Sequence, residues 1–249
     1  MKHSSLTGLL FVLVTVFFLT SCGGGANEKT TTADSTAIKD SIAKAETAAK
    51  AMRTIITTPQ NMMIVTHKVA NYAKWLPLYE SHDSVRLAHG IHNYVIGRGL
   101  KDSNMVMIAF KIDDTAKAKA FMKDPTIKKY MQKAGVISAP MATFLTATWQ
   151  DTVTIETKFR SRTMFAVKDF DAWVKAFEEG KQERLDNGIT DRVFGHDLND
   201  NKKVTLVTAI TDTAKASAYF KSDALKKRRE AAGVIGEPDR FLFRIVKRY

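Results

Sequence analysis

The sequence predicts an α+β fold: two β-α-β-β-α-β modules in one chain, closing on each other, preceded by a signal peptide and a short helical stalk. Three observations carry this prediction. The chain repeats itself at an offset of 98 residues, both copies order their elements in the same way, and each copy leaves one apolar sheet face without a cover.

The repeat is most visible where Ala134–Pro140 reads AGVISAP and Ala232–Pro238 reads AGVIGEP. Placing residue n over residue n + 98 needs no gap from His67/Phe165 to Pro140/Pro238, and 27 of those 74 columns are identical. They include Trp75/Trp173, Arg86/Arg184, Gly90/Gly188 and Gly97/Gly195. A period this long is the size of a small domain and too long for a solenoid unit.

Each element has its own signal. In the first copy Met62–Val69 is rich in apolar and β-branched residues and reads as a strand. Asn71 is a candidate N-cap, matched by Asp169. A helix is expected from there to about His89, ended by Gly90. Pro77 should kink it, whereas the second copy, with Lys175 in that column, should be smoother. His92–Leu100 and Asn104–Ile112 read as a strand pair joined by a polar turn. Asp114-Thr115 starts a second helix, interrupted at Asp124-Pro125 and stopped at Gly135. Ala142–Trp149 is the last strand. The AGVI motif thus reads as a helix stop followed by two core residues, and Pro140 and Pro238 enforce an extended exit.

The N-terminus carries a different message. Lys2 precedes the apolar run Leu9–Leu19, which is too short to span a bilayer and suits the core of a secretory signal. It ends in Leu19-Thr20-Ser21-Cys22, which resembles a bacterial lipobox. Cys22 is the only cysteine, so it reads as a lipid attachment point, and no intramolecular disulfide can form. Acylation there would anchor the chain to a bilayer. Gly23 after it favours the outer membrane by resemblance to the enteric sorting rule. The expected organisation is residues 1–22 signal peptide, 23–60 tether and stalk helix, 61–150 first module and 159–249 second module. The formal charge of +12 falls to +11 once Lys2 is removed. For an exported chain this reads as a basic surface near anionic headgroups, with no nucleic-acid partner.

The β-α-β-β-α-β order gives a four-stranded antiparallel sheet with both helices on one face. Met105–Ile112 and Val204–Ile210 are apolar on both sides, so the bare face needs a partner, and the other copy supplies it. His67, Trp75, Tyr79, His82, Arg86, Gly90, the Asp114 helix and AGVIxxP together resemble the dimeric α+β barrel (ferredoxin-like) superfamily, near the antibiotic-biosynthesis-monooxygenase-like domains. The resemblance spans about 180 residues. It implies a fused, intramolecular pseudo-two-fold α+β barrel, a monomer with an internal pseudo-dimer, from a superfamily that includes cofactor-free oxygenases and haem-degrading enzymes.

On a helical wheel Arg86 falls near the centre of the apolar arc of the first helix, with His82 close by, and Arg184 does so in the second copy. Such a guanidinium needs a partner: a protein carboxylate, an anionic ligand, or solvent reached by snorkelling. His67, Trp75, Tyr79, His82, Arg86 and Arg184 are therefore the candidate ligand-binding residues, between helix and sheet. Histidines cluster in the first copy, where the second has Phe165, Gly180, Asn187 and Thr190. Their spacing matches no compact zinc motif, no metal is expected, and no cofactor is expected, haem being the lesser alternative. No phosphate loop or nucleophile elbow is present. Asp113-Asp114 reads as a helix cap. The leading expectation is an envelope lipoprotein that binds a small apolar or anionic molecule in its first module. The alternatives are a cofactor-independent monooxygenase-like enzyme acting on an aromatic substrate and a structural envelope protein.

Overall fold

The computed structural model describes residues 39–42 and 54–249. The expected signal peptide, Cys22 and the tether lie outside the described residues. Residues 39–42, within the expected stalk, are helical and exposed. The two modules fall together in a separate compact unit, Thr47–Tyr249.

The first module runs β1 (Ile55–Ile56), β2 (Gln60–Lys68), α1 (Tyr72–Ser81), α2 (Asp83–Ala88), β3 (Ile91–Gly99), β4 (Met105–Ile112), α3 (Thr115–Lys123), α4 (Pro125–Lys133) and β5 (Met141–Asp151). The second runs β6 (Phe159–Val167), α5 (Phe170–Glu179), α6 (Lys181–Asp186), β7 (Ile189–Asp197), β8 (Lys203–Ile210), α7 (Thr213–Phe220), α8 (Asp223–Ala231) and β9 (Val234–Arg248). Asn71, Asp114 and Asp124 cap α1, α3 and α4 through their side chains, and Asp169 and Asp212 do the same in the second module. Asp114 is thus engaged as a cap. Gly135 and Gly233 both have positive φ, 88° and 73°, which a β-branched residue there would resist. The valine that follows each returns to the first strand of its module: Val136 bridges Val69, and Val234 pairs Val167.

One expectation fails. The long first helix does not kink at Pro77, which lies within α1, and the second module is not smoother. Both modules break five columns past the proline or more, at His82 (φ −96°, ψ 16°) and Gly180 (φ −82°, ψ 5°). Proline cannot be the cause, because Lys175 fills its column. What the two breaks share is an arginine one turn on. Arg86 Nη1 donates to the Tyr79 carbonyl at 2.8 Å, and Arg184 Nη1 donates to the Phe177 carbonyl at 2.6 Å. Each takes up an acceptor at a helix end.

The strands form one closed antiparallel ring, β5-β2-β4-β3-β9-β6-β8-β7, sealed by a β5–β7 pairing, with β1 extending the edge beside β5. Two seams join the modules. In one, Val95 faces Arg248, Ile96 faces Lys247 and Gly97 faces Ile245. In the other, Val193 faces Gln150, Phe194 faces Trp149 and Gly195 faces Ala147. The second set is the first displaced by 98 residues, including the one-residue bulge, so the ring has a pseudo-two-fold register.

Alternation along the strands sorts side chains to the two sides of this ring. Met62 and Ile64 join Val95, Met107, Leu145, Phe243 and Ile245 inside it. Met63 and Val65 face outward and pack with Trp75, Ile108, Phe121 and Ile127 under the helices. The second module repeats the outer layer around Trp173 and Phe194.

Candidate functional site

β2 carries His67 on its outward side, where α1 covers it. The residue is 2% exposed, and neither ring nitrogen has a hydrogen-bond partner. From it a ladder of rings climbs along α1. Trp75 meets the imidazole edge at 5.7 Å between centroids, Tyr79 stacks on Trp75 at 4.7 Å, and the Arg86 guanidinium sits 4.0 Å above the Tyr79 ring. The second module builds the same ladder from Phe165, Trp173, Phe177 and Arg184, with separations of 5.4, 5.0 and 3.5 Å. Helical spacing explains it: Trp75 and Tyr79 are four residues apart on one face, and the helix break brings the arginine back over the ring.

A cavity of about 60 Å³ lies against this ladder in the first module, lined by His67, Trp75, Tyr79, His82 and Arg86, with Phe121, Tyr130 and Met131 from α3 and α4. Five of the six residues named from sequence therefore meet in one place. Arg184 does not join them; it lines the equivalent cavity of the second module, about 90 Å³ in size. His82 occupies the α1–α2 break and stacks on Tyr130. His89 and His92 stand apart, engaged with the Val85 carbonyl and with Asp113.

The electrostatics differ from the sequence expectation at the arginines. Arg86 is met by Asp83 at 3.2 Å as well as by the Tyr79 carbonyl. Asp83 also accepts from Asn93 Nδ2, and Asn93 accepts from the Tyr79 hydroxyl. Arg184 forms a two-pronged pair with Asp191, at 2.8 and 2.6 Å. Neither arginine waits for an anion to neutralise it, because a protein carboxylate does so. One donor remains: Arg86 Nε is buried without a partner. Asp83, Asn93 and Asp191 were not named from sequence, although column 93/191 is polar in both copies.

Burial pushes the His67 pKa down to about 4, so the ring is neutral over the ordinary pH range, one nitrogen a donor and the other an acceptor. Burial also raises Tyr79 well above the usual phenol range, the Arg86 charge opposing it, so Tyr79 stays protonated. Burial, and then Arg86, lower His82. Among the described residues no group of three or more His, Asp or Glu side chains is placed to hold a metal ion.

No family model and no curated protein matches the chain. Solved structures do. A protein described as anthrone oxidase-like superposes with a TM-score of 0.52 at 14% identity, covering 78% of this chain and 94% of its own. One assigned as a chlorite dismutase gives 0.50 at 16% identity, over 76% and 96%. A candidate monooxygenase from Fusobacterium nucleatum subsp. nucleatum ATCC 25586 gives 0.49 at 11% identity, over 76% and 93%. The fold is α+β with a large antiparallel sheet, consistent with the dimeric α+β barrel.

The barrel here is completed within one chain, and its cavities lie outside the ring, between sheet and helices. A haem does not fit the His67 cavity: pockets for ligands of drug size occupy roughly 300–1,000 Å³, and this one is about 60 Å³. At that size it holds a few water molecules; a benzene ring takes a cavity of about 150 Å³, so an aromatic ligand enters only as the surrounding side chains of α1, α3 and α4 move apart.

Proposed function

We propose that the first-module cavity is the functional site, that it takes a small aromatic molecule bearing a hydroxyl or carbonyl group, and that the chemistry there is cofactor-independent oxidation by dioxygen. The observation that carries this reading is His67: a buried imidazole with both nitrogens unpaired, facing a cavity walled by aromatic rings. Leaving such a group unsatisfied costs about 1–3 kcal/mol, and the second module avoids that by placing Phe165 in the same column. A ligand hydroxyl would remove the cost. Trp75 and Tyr79 offer stacking faces. His67, whose pKa rests at about 4, would accept the proton that the substrate loses because the anion so formed lies beside it and favours the imidazolium, and the free Arg86 Nε–H would donate to the oxygen that gains charge. The fold shared with an anthrone oxidase-like protein supports this reading over binding alone.

We further propose that the two modules arose by tandem duplication and that the barrel is carried on a lipid anchor at Cys22, in the bacterial envelope. The lipobox-like segment and the matched seam registers support these two points.

The test is oxygen uptake with a panel of small hydroxylated aromatics, alongside thermal-shift binding. Wild type should consume oxygen with at least one compound, and His67→Phe, which copies the residue of the second module, should abolish uptake while keeping the fold. Binding that His67→Phe removes, without oxygen uptake, leaves a binding protein. Neither binding nor uptake, or uptake indifferent to His67→Phe, overturns the proposal.

A further inference from the structure

The second module holds the larger cavity, and its mouth differs in kind from that of the first. Its chamber is apolar, walled by Phe165, Trp173, Phe177, Leu206 and Leu225. Its rim carries Arg228, Arg229 and Arg240, where the first module has Tyr130, Met131 and Ala142 in the same columns. Three substitutions to arginine around one opening change what that opening can attract.

The three cations are not equivalent. Arg228 is paired with Glu183, its Nε at 2.6 Å from Oε2. Arg229 has no carboxylate oxygen within 4 Å among the described residues; it feels Glu237 only at longer range. Arg240 lacks a carboxylate too. Its guanidinium lies 3.8 Å from the centre of the Phe220 ring, and Nε reaches Thr163 Oγ1 at 3.4 Å. Burial, and then repulsion from Arg229, lower its pKa to about 10. Two half-buried arginines that repel each other across an apolar chamber are an unfavourable arrangement unless an anion comes between them. A cleft of about 210 Å³ adjoins the rim, sharing Phe220, Arg229, Val234 and Pro238 with the chamber and lined further out by Lys221 and Lys226 together with Asp223, Glu230 and Glu237, so the unpaired positive charge lies at the chamber and not along the cleft.

We propose that this cavity is a second binding site, for a small amphipathic monoanion. Its apolar body, a ring or a few methylenes, sits against Trp173 and Leu206, and its acidic group is held between Arg229 and Arg240. The site is separate from the His67 cavity and does not depend on the function proposed for it.

Titration calorimetry of the full chain with 4-phenylbutyrate tests the proposal, with 4-phenylbutanol and 4-phenylbutylamine as neutral and cationic bodies of the same shape. The acid should bind at least about tenfold more tightly than the alcohol, and the amine not at all. Arg240→Ala, which copies Ala142, should bring the acid down to the level of the alcohol. Thr208→Phe, which copies Phe110, a buried wall of the first-module cavity, takes up chamber volume and should abolish binding of both. His67→Phe should change nothing. Equal binding of acid and amine, persistence of binding in Thr208→Phe, or no heat at millimolar ligand overturns the proposal.

Discussion

Gly97 lies against the ring of Phe243, across the seam between β3 and β9, so closely that a methyl group on Gly97 would collide with that ring. Its counterpart Gly195 lies against the backbone of Thr146 and Ala147 across the other seam. Both seams therefore close on a residue without a side chain, but one closes on a movable ring and the other on main chain. Overpacking a tight interior costs about 1–3 kcal/mol when neighbours can shift. Gly97→Ala should fall in that range, and Gly195→Ala should exceed it. Urea unfolding monitored by far-UV circular dichroism measures both. Equal small losses, below about 0.5 kcal/mol, would mean that the ring does not depend on these contacts.

The buried pair Arg184–Asp191 and its first-module relative make a matched experiment. Asp191 and Arg184 are both almost fully buried, so removing the carboxylate strands a cation at a cost of about 3–5 kcal/mol. Asp83, by contrast, is 45% exposed at its side chain, so water screens it, but its loss still leaves the buried Arg86 with only the Tyr79 carbonyl and ring; it should cost less than the loss of Asp191, about 1–3 kcal/mol. The columns are exchanged between modules: Asn93 stands at the position of Asp191, and Lys181 at that of Asp83. Asp191→Asn should therefore be severe alone and partly rescued by Lys181→Asp, which rebuilds the first-module arrangement. Failure of the rescue in a double-mutant cycle would show that the arginine is held by other groups.

Most of the fold was legible because the chain states it twice. The 98-residue offset places the eight strands of the ring, though not β1, which has no second copy, and the doubly apolar β4 and β8 demand a partner sheet. The helix break at His82 and Gly180 was hidden because Pro77 offers a more obvious, local cause, while the actual common feature is a contact from Arg86 or Arg184 back to the helix end. The wheel found the arginines but not their partners: Asp83 lies three residues before Arg86 on α2, a local pair hidden by reading one unbroken helix, whereas Asp191 sits on β7 and only the folded chain brings it to Arg184. His67 was visible as a histidine in a column that holds Phe165. That both its nitrogens lack partners depends on side chains from α1, α3 and α4, which no local pattern specifies. Nor did the pattern of β6 show that Arg160 and Arg162 turn into the ring, because Ser161 and Thr163 between them are equally polar.

Arg160 supplies the third prediction. It is 2% exposed, stands in the column of Met62 inside the ring, and among the described residues pairs only with the carbonyls of Thr157 and Phe159. Burial, then repulsion from Arg248 and Arg192, hold its pKa down to about 10. Replacing a buried charge by an apolar residue of similar length is often neutral or stabilising. Arg160→Met should leave stability unchanged or raise it by about 1 kcal/mol, read as the midpoint of urea unfolding. The two carbonyls belong to residues that reach solvent, so water can take over their hydrogen bonds. A loss above about 1 kcal/mol would show that the cation is needed where it lies.

The last prediction follows from the sign of the His67 shift. In the folded barrel the imidazole protonates only near pH 4, whereas in the unfolded chain it does so near its ordinary value of 6.5. Between those values the unfolded state binds a proton that the folded state refuses, so stability must fall as pH falls from about 6.5 to 4. Each pH unit is worth about 1.4 kcal/mol, so the full window amounts to roughly 3 kcal/mol. His67→Phe removes the titrating group and should flatten that part of the profile, leaving the acid loss from paired carboxylates at lower pH. A ligand that donates a hydrogen bond to His67 should leave the slope in place, because it favours the neutral ring. One that carries negative charge to it should shrink the slope by favouring protonation. Urea midpoints at half-unit pH steps, for wild type and His67→Phe, decide the matter: parallel profiles between pH 6.5 and 4 would mean that the imidazole is reached by water and that the cavity is not the dry, unsatisfied site on which the proposed function rests.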